Sequence, residues 1–351
     1  MASEPPTLEA IAKLAGVSRV TVSRVLNGKT KETWPSTARR AGRIRRIARR
    51  LGYRPNAAAR ATVSGRFGSV SLVVSTELGR SHLPSQLLFG VHDALIDRDI
   101  QLIIGRLPDA EGAERGAVPR ILREWCCDGM LINYTTHIAP EIVELIEGQN
   151  VPCVWLNAKR PADCVYPDDL AAGRMATEHL LEAGHMTITY VCGAMKRQPG
   201  PWAHYSVQDR RDGYEEAMRS AGLEPELLMR DKLGSSAAGR EAYLVSLMQH
   251  QDRPSAVVTY SGDDAENVYA AARAASLQVP RDLSIVAVSD DVVSGTGPGL
   301  TTVVVPFTAV GRAGVKMLMA RIDGGSAHLP AKTIPPTLHE GGSIAAPSSE
   351  R

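Results

Sequence analysis

The sequence predicts two parts: a small all-α head of helix-turn-helix type, and an α/β body of two lobes built on doubly wound parallel sheets. Residues 7–28 contain two short segments with apolar residues at helical spacing, joined by a glycine-containing turn. From Val70 onward, short β-branched runs alternate with longer helical patterns, which is typical of parallel sheets. A chain of 351 residues is long enough for a head and two such lobes.

The first helix of the head begins after Thr7, whose hydroxyl suits the free N–H groups of a first helical turn. Leu8, Ile11 and Ala15 recur on one face at helical spacing. Gly16 is the residue type that ends such a helix in a left-handed conformation. The pattern therefore predicts a short amphipathic helix that stops at Gly16.

A second helix begins after another capping residue, Ser18, and ends at Asn27-Gly28. Its apolar side consists of Val22, Val25 and Leu26. The opposite side carries Arg19, Val20, Thr21, Ser23 and Arg24. Two short helices joined in this way form a helix-turn-helix, whose second helix enters the major groove of DNA.

The charge of the chain is divided unevenly between head and body. Residues 1–66 hold fifteen Lys and Arg against three Glu, a net charge of +12. The rest of the chain holds 25 basic and 35 acidic residues, so the total of +2 conceals a basic head on an acidic body. This asymmetry indicates a nucleic-acid-binding head.

A third helix is predicted over residues 38–50. Ile44, Ile47 and Leu51 give it an apolar stripe that closes the small core of the head, and most of its other residues are arginines. A merely solvated basic face is one reading of these arginines. Since phosphate contacts dominate affinity for DNA, we expect some of them to contact phosphates.

The body alternates predicted strands and helices. The strands are 70–74, 101–104, 129–132, 151–156, 187–191, 256–260, 283–288 and 302–305. The helices are 86–97, 117–125, 141–146, 172–183, 210–221, 237–249, 265–275 and 310–322. Ligands of such folds bind beyond the carboxyl ends of the strands or between lobes. The tail from Gly341 is expected to be disordered.

Composition favours a cytoplasmic protein. The sequence has no apolar run long enough to span a membrane, and its N-terminus lacks the features of a signal peptide. The five cysteines are odd in number and lack Cys-x-x-Cys spacing, which favours free thiols over disulfides or a metal site. No hydrolase, Walker-loop, zinc or dinucleotide-binding motif is found, so we expect neither an enzyme nor a cofactor.

Several motifs resemble the LacI/GalR (lactose/galactose repressor) family of bacterial transcription regulators. In the head they are Ala-Lys-Leu-Ala-Gly-Val-Ser (12–18), Thr-Val-Ser-Arg-Val-Leu-Asn (21–27) and Leu-Gly-Tyr-Arg-Pro-Asn (51–56). In the body they are residues 167–185, the Arg-Arg-Asp-Gly-Tyr of 210–214, residues 279–286 and residues 300–303. The resemblance runs over nearly the whole chain and implies a periplasmic-binding-protein-like body.

The resemblance implies boundaries for each part. They are a DNA-binding domain at 1–54, a hinge helix and linker at 55–66, and an effector-binding and dimerisation core at 67–345. The first lobe would hold 67–167 and 304–328, and the second would hold 168–303 and 329–345. In the family, two hinges pair across a dimer and insert a leucine wedge into the minor groove. Thr62 stands at that position here, with Val63 beside it, and a threonine is a poorer wedge.

The resemblance also implies which residues contact DNA. They are Thr7, Ser18, Arg19, Val20, Thr21, Ser23, Arg24, Asn27, Tyr53, Asn56, Ala59, Arg60 and Thr62. An arginine such as Arg19 can donate two hydrogen bonds to guanine, whereas Val20 can only contact a thymine methyl or exclude other groups. Arg24 would contact bases or backbone, and Thr21 and Ser23 would hold phosphates.

The implied effector site consists of Ser81, His82, Leu83, Trp202, Ser206, Arg210, Ser261, Asp263, Ser289 and Asp290. Arg210 is the first choice, because a planar guanidinium suits hydroxyl or carboxylate groups. His82 and Trp202 could equally be packing residues. Ser289 aligns with an aspartate that binds sugar hydroxyls in the family, so either Ser289 or Asp290 could serve. Ser261-Gly262 replaces the family's Asn-Asp pair, so the effector's identity is unreadable.

These features predict a homodimeric transcriptional regulator, expected to be a repressor, whose affinity for operator DNA is controlled by a small sugar-like effector. The alternative is an architectural protein that binds DNA without sequence preference. A plain solute-binding protein of the same fold would need an export signal and would lack the basic head.

Overall fold

The computed structural model describes residues 6–28, 30–31, 34–54, 65–77, 80–107, 126–136, 140–148, 151–193, 203–233, 236–295, 297, 299–324 and 327–347. The chain forms two compact units, a head (Met1–Gly68) and a body (Ser69–Arg351). The predicted hinge helix over 55–61 and the predicted helix 117–125 lie outside the described residues. Within the described part of the chain, no helix combines the length and apolarity that crossing a membrane requires.

The head contains three helices: α1 (Leu8–Ala15), α2 (Arg19–Leu26) and α3 (Pro35–Arg50). The predicted caps form, since Thr7 accepts a hydrogen bond from the Ala10 N–H at 3.2 Å and Ser18 accepts one from the Thr21 N–H at 3.2 Å. Gly16 ends α1 with a φ of +66°, a conformation that glycine adopts without steric cost. The helix-turn-helix is therefore fixed by its local sequence.

The core of the head is small and entirely apolar. Ile11 of α1, Val22 of α2 and Ile44 of α3 are fully buried against one another. Helix α3 starts three residues earlier than predicted, because Pro35 has a fixed φ that suits the first turn of a helix and lacks the N–H that such a turn leaves free. The early start adds Pro35, Ser36 and Thr37 to α3, and all of its arginines lie in the part that was predicted.

The body contains twelve described strands and eight described helices. The strands are β1 (Ser69–Ser75), β2 (Gln101–Leu107), β3 (Gly129–Asn133), β4 (Cys153–Leu156), β5 (Cys164–Pro167), β6 (Ile188–Cys192), β7 (Glu226–Met229), β8 (Ala256–Thr259), β9 (Ser284–Ser289), β10 (Thr301–Val304), β11 (Lys332–Ile334) and β12 (Thr337–His339). The helices are α4 (Ser85–Ile96), α5 (Pro140–Glu147), α6 (Asp169–Glu182), α7 (Tyr205–Ser220), α8 (Arg230–Leu233), α9 (Ala237–Gln249), α10 (Gly262–Ala274) and α11 (Phe307–Gly324).

Two six-stranded sheets form the two lobes, as the alternation of strands and helices predicts. The first has the order β11-β5-β4-β3-β1-β2, and the second has the order β12-β10-β9-β8-β6-β7. Neighbouring strands are parallel except for the antiparallel pair of β10 and β12. Strands β5, β7, β11 and β12 and helix α8 were not predicted. Each has three or four residues, a length at which a period gives only a weak signal.

Close helix packing in the second lobe determines where its polar side chains lie. A Cβ atom at Gly173 of α6 would come within 1.9 Å of the Arg210 carbonyl oxygen, and one at Gly213 of α7 within 2.1 Å of the Leu170 carbonyl oxygen. Helices α6 and α7 therefore approach with backbone almost in contact, which needs glycine at both positions. This approach brings Arg210 on α7 beside the first turn of α6.

The predicted boundary between the lobes at residue 328 is wrong by one strand. Strand β11 pairs in parallel with β5 of the first sheet, and only β12 joins the second sheet. The crossing therefore lies between Ile334 and Thr337. A three-residue edge strand has no apolar alternation of its own, and it joins β5 because that strand offers an open edge.

The prediction of a disordered tail from Gly341 is also wrong for residues 341–347. Ser343 is fully buried; its hydroxyl donates to the Ile285 carbonyl at 2.6 Å and accepts from the Thr301 N–H at 2.8 Å. A Cβ atom at Gly341 would lie 2.6 Å from the Leu300 carbonyl carbon. The chain can approach Leu300 this closely because residue 341 has no side chain. Polar composition suggested disorder, but these hydroxyl and backbone groups bond to the second sheet.

Candidate effector cleft and nucleic-acid interface

The recognition helix α2 presents a mixed surface to solvent. Arg19, Val20 and Arg24 are exposed, and Val20 keeps 64% of its surface accessible. An exposed valine between arginines suits contact with a thymine methyl, while the arginines can reach guanine edges or phosphates. The three residues predicted to read bases are therefore accessible together on one helix.

The other predicted DNA contacts in the head also serve its structure. The hydroxyls of Ser18 and Thr21 lie 2.9 Å apart, and the Asn27 side-chain amide donates to the Ser23 hydroxyl at 3.2 Å. Tyr53 is half-buried against the core of the head, and Thr7 is an exposed cap. The predicted contacts Asn56, Ala59, Arg60 and Thr62 lie outside the described residues.

In the body, the carboxyl ends of the first sheet face the second lobe, because Pro167 at the end of β5 leads directly into α6. Several polar contacts cross from one lobe to the other. The His82 Nε2 atom lies 3.0 Å from the Asp290 carboxylate, and the Gln86 amide donates to Asp291 at 3.3 Å. The Lys159 ammonium lies 2.8 Å from the carboxylate of Asp209 on α7. These contacts mark the boundary where the two lobes meet, which we call the cleft.

Arg210 is the buried cation of this cleft. Its Nε donates to the Asp169 carboxylate at 2.6 Å, and its Nη1 donates to the Tyr260 carbonyl at 2.6 Å. The guanidinium also lies over the Tyr260 ring, 4.7 Å from its centre. Burial is the largest influence and disfavours the charged form, but Asp169, Tyr260 and Tyr190 together outweigh it and raise the pKa of Arg210. Arg210 therefore stays charged and held in place.

A chain of hydrogen bonds links the two lobes beside Arg210. The His204 ring is bonded through Nε2 to the Asn157 carbonyl at 2.9 Å and through Nδ1 to the Ser206 hydroxyl at 2.7 Å. A carbonyl can only accept, so Nε2 carries the proton and Nδ1 accepts from Ser206. Burial lowers the pKa of His204, which favours this neutral form. The Ser206 hydroxyl also lies 3.0 Å from the hydroxyl of Tyr260.

Several buried polar atoms at the cleft have no hydrogen-bond partner within the part of the chain that the structure describes. They are the side-chain amide of Asn133 at the end of β3, the Nδ2 of Asn157 after β4, and the hydroxyl of Tyr190 in β6. Buried polar groups are almost always paired in proteins. Amide and hydroxyl groups that lack partners can bind a ligand that both donates and accepts, such as a hydroxyl group.

Comparison with known proteins matches both units. The family described as "Bacterial regulatory proteins, lacI family" matches residues 7–56, and the periplasmic binding protein-like domain matches residues 177–344. The transcriptional regulator CelR of Thermobifida fusca is 30% identical over 333 residues, which cover 91% of this chain and 92% of CelR. The chain belongs to the LacI family. LacI-family proteins are DNA-binding transcription regulators, so this chain is a regulator and not an enzyme.

Other LacI-family proteins match over similar lengths. The ribose operon repressor of Escherichia coli K12 is 28% identical and covers 96% of this chain and 99% of its own length. The structure of a CelR–cellobiose complex superposes with a TM-score of 0.62 at 26% identity, covering 96% of this chain and 99% of CelR. The Lac repressor dimer bound to operator has the same fold, with a TM-score of 0.74 at 21% identity, covering 98% and 100%. None of these similarities supports the architectural alternative.

The residues predicted as the effector site of this LacI-family chain fall into two groups. His82, Ser206, Arg210 and Asp290 lie in the polar contacts of the cleft. Ser81 and Ser261 instead stabilise local structure: Ser81 accepts from the Ser75 N–H at 2.8 Å, and Ser261 caps α10 through the Asp264 N–H at 3.2 Å.

The remaining predicted effector residues have no polar role in the cleft contacts described above. Asp263 is exposed on the first turn of α10, and Leu83 packs partly buried against the body's main apolar core. A Cβ atom added at Gly262 would lie only 2.9 Å from the Ser289 hydroxyl, so Ser289 lies against the start of α10. Trp202 lies outside the described residues.

The sequence-based site omitted Asp169, Asn157, His204 and Tyr260. The sequence did contain an indication for Asp169. Asp168 and Asp169 are adjacent acids at the start of a helix, and because a helix needs only one N-cap residue, the second acid is free for another role. Asp168 is that cap, accepting from the Ala171 N–H at 3.0 Å, which leaves Asp169 for Arg210. The other three lie after strands or before a helix and carry no motif.

Proposed function

We propose that this chain is a transcriptional repressor whose affinity for operator DNA is controlled by a small, sugar-like effector bound between the two lobes of the body. The observation that carries the proposal is the polar cleft, where Arg210 is held by Asp169 and Tyr260. Beside it, the Nδ2 of Asn157 and the hydroxyl of Tyr190 are buried and have no hydrogen-bond partner among the described residues. These groups offer both donors and acceptors, as sugar hydroxyls require. The cellobiose bound to the similar regulator CelR and the ribose in the name of the similar ribose operon repressor support a sugar.

The two lobes provide the means of control. Side chains of both lobes meet at the cleft through the pairs His82–Asp290, Gln86–Asp291 and Lys159–Asp209. An effector that contacts both lobes would favour one relative arrangement of them over another. If operator DNA favours a different arrangement, each ligand weakens the binding of the other by the same factor.

The DNA-binding role belongs to the head, where Arg19, Val20 and Arg24 are the base-reading residues of this proposal. We propose that the protein acts as a homodimer on a nearly palindromic operator, by analogy with the Lac repressor dimer bound to operator. We place it in the cytoplasm, where its DNA target lies.

Selection from a random pool of DNA duplexes, with the full chain at near-physiological salt, tests the DNA-binding half of the proposal. A recovered palindrome with half-sites about one helical turn apart would support a symmetric, sequence-reading dimer. Recovery of bound DNA without a consensus would contradict it, since binding would then rest on phosphates alone.

Effector control is tested next, with the recovered operator. Cellobiose, ribose and related neutral sugars are added to the protein–operator complex, and the operator dissociation constant is measured by fluorescence anisotropy. Weaker operator binding in the presence of one sugar supports a repressor released by its effector. Tighter binding would overturn the inducer sense and indicate co-repression. A sugar that binds the protein without changing operator affinity would contradict control.

A further inference from the structure

A cavity of about 650 Å³ opens in the first lobe, apart from the cleft. It lies beside the amino ends of β4 and β5, whereas the cleft residues follow the carboxyl ends of strands. Its walls include Cys153, Trp155, Arg160, Asp163, Arg321 and His328. The volume lies within the range of about 300–1,000 Å³ that is usual for small-molecule sites.

The buried acid of this cavity is already fully occupied by donors of the protein. One oxygen of Asp163 accepts from the Arg321 Nη1 at 2.7 Å and lies 2.5 Å from the His328 Nδ1. The other oxygen accepts from the Leu329 N–H at 2.9 Å. Asp163 therefore has little capacity left for a ligand that donates hydrogen bonds.

The two arginines, in contrast, have donors to spare. Arg321 uses Nη1 for both Asp163 and the Cys153 carbonyl, while its Nε is buried without a partner in the described part of the chain. Arg160 lies 4.4 Å above the Trp155 ring and donates through Nη2 to the half-exposed Glu147 at 2.8 Å. Each guanidinium carries five N–H donors on three nitrogens, so the contacts named here use only part of them.

Structural roles account for part of this arrangement. The Asp163–Arg321 pair ties the start of β5 to the last turns of α11, as buried ion pairs often do. That role uses one nitrogen of Arg321, and the contacts of Arg160 with Glu147 and the Trp155 ring use one of its nitrogens and one face of its guanidinium group. Burial raises the pKa of the Cys153 thiol, so this wall adds no negative charge.

We propose that this cavity is a second ligand site, separate from the effector cleft, which binds a small organic anion through the guanidinium groups of Arg160 and Arg321. Guanidinium groups bind carboxylate and phosphate oxygens through paired N–H donors, so both ligand types share the required chemistry. The Trp155 ring, whose centre lies 4.4 Å from the Arg160 guanidinium, limits the freedom of this group before the ligand binds.

Hydrogen–deuterium exchange of the full chain, with citrate or inorganic phosphate as the probe, tests the proposal. The basic head also attracts anions, so the measurement must be resolved by peptide, and the decisive peptide spans residues 153–164. We expect citrate, phosphate or both to slow exchange there, while chloride at matched ionic strength does not. Protection by citrate alone would assign a carboxylate ligand, and protection by phosphate alone a phosphate ligand.

Variants of Arg160 test whether the protection from exchange depends on this side chain. Arg160→Gln should raise the anion concentration for half-maximal protection by about tenfold or more, because a charge-assisted hydrogen bond is lost. Arg160→Lys, which keeps the charge without the planar fork, should give a smaller increase. The matched control is Arg281→Gln, which removes an exposed arginine paired with Asp282 and should leave the protection unchanged.

The proposal is overturned if neither anion protects residues 153–164 at millimolar concentration, or if chloride protects them equally. It is also overturned if Arg160→Gln and Arg160→Lys both retain wild-type protection. Thermal unfolding of each variant identifies one that fails to fold. None of these outcomes depends on the effector cleft, so a negative result here would not contradict the proposed function.

Discussion

Arg210 and Asp169 form a buried ion pair in which each charge depends on the other. The side chains of both are almost completely buried, and Asp169 accepts the Arg210 Nε hydrogen bond at 2.6 Å. Removing either partner leaves an isolated charge in the protein interior, which is far more costly than losing an exposed pair. A change at either residue is therefore expected to affect both the stability of the second lobe and ligand binding in the cleft.

We predict that Arg210→Ala lowers the free energy of unfolding by about 3–5 kcal/mol, because Asp169 loses its buried partner. The same variant should lose the effector response while retaining operator binding through the head. Denaturant unfolding measures the first effect, and operator titration with and without effector measures the second. Arg281→Ala, at an exposed ion pair, is the control and should change neither quantity.

If Arg210→Ala is too unstable to purify, Arg210→Lys keeps a positive charge beside Asp169 and tests the same point. Lysine cannot reproduce the contacts to both Asp169 and the Tyr260 carbonyl, so the effector should bind more weakly. An unchanged effector response in a folded variant would remove Arg210 from the site.

His204 should make stability depend on pH. Burial lowers the pKa of His204 from its ordinary value of 6.5, so the folded protein disfavours the protonated ring while the unfolded chain accepts it. The stabilisation is complete above the unfolded pKa, and it is lost as the pH falls below 6.5 toward the folded pKa. The charge of Asp169 raises the pKa of His204 and the charge of Arg210 lowers it, so these two smaller effects oppose each other.

We predict that the free energy of unfolding falls between about pH 7.5 and about pH 5.5, and that His204→Gln removes part of this dependence. Urea unfolding at each pH measures it. His250→Gln, at an exposed histidine beside Asp252, is the matched control and should retain the wild-type slope. A slope that His204→Gln leaves intact would assign the pH dependence to other groups.

At the scale of elements, the head shows how local sequence fixes structure. Helices α1 and α2 begin at hydroxyl caps and α1 ends at a left-handed glycine, all of which can be identified from single residues. The short strands of the body are different, since β11 is recognisable as a strand only through its pairing with β5. Elements fixed by their own residues were predicted, and those fixed by a partner were missed.

Ser18→Ala should destabilise the recognition helix. The Ser18 hydroxyl accepts from the Thr21 N–H at 3.2 Å, and such a cap contributes about 1 kcal/mol. We predict that the variant lowers the head's free energy of unfolding by that amount and that it weakens operator binding. Circular dichroism of the helices measures the unfolding. Ser36→Ala, at an exposed serine in the first turn of α3, should be nearly neutral. Equal losses in both variants would refute the cap.

At the scale of the whole molecule, the neighbouring elements α4 and β2 of the first lobe both expose large apolar side chains. Phe89 and Ile96 of α4 are 59% and 58% exposed, and Ile104 of the edge strand β2 is 52% exposed. Exposed edge strands and clustered apolar side chains are typical of surfaces covered by a partner. We propose that a second copy of the chain covers this surface in the homodimer.

Phe89→Asp should therefore shift the protein from dimer to monomer and weaken operator binding, because a buried charge at an interface is costly and a single head reads only half a palindrome. Sedimentation velocity measures the oligomeric state, and operator titration measures the affinity. The matched control is Met186→Asp, which places the same charge at an exposed apolar residue of the second lobe. A dimer that persists in Phe89→Asp would place the interface elsewhere.

The sequence by itself determined the helix-turn-helix, the order of the longer strands and helices, the uneven charge and the family. Each of these depends on neighbouring residues or on composition, which can be read along the chain. Only the tertiary structure decided that Asp169 holds Arg210, 41 residues away, and that His82 meets Asp290, 208 residues away. It likewise decided that residues 341–347 are ordered on the second sheet. Such contacts depend on how helices and sheets pack, so they cannot be predicted from a local sequence pattern.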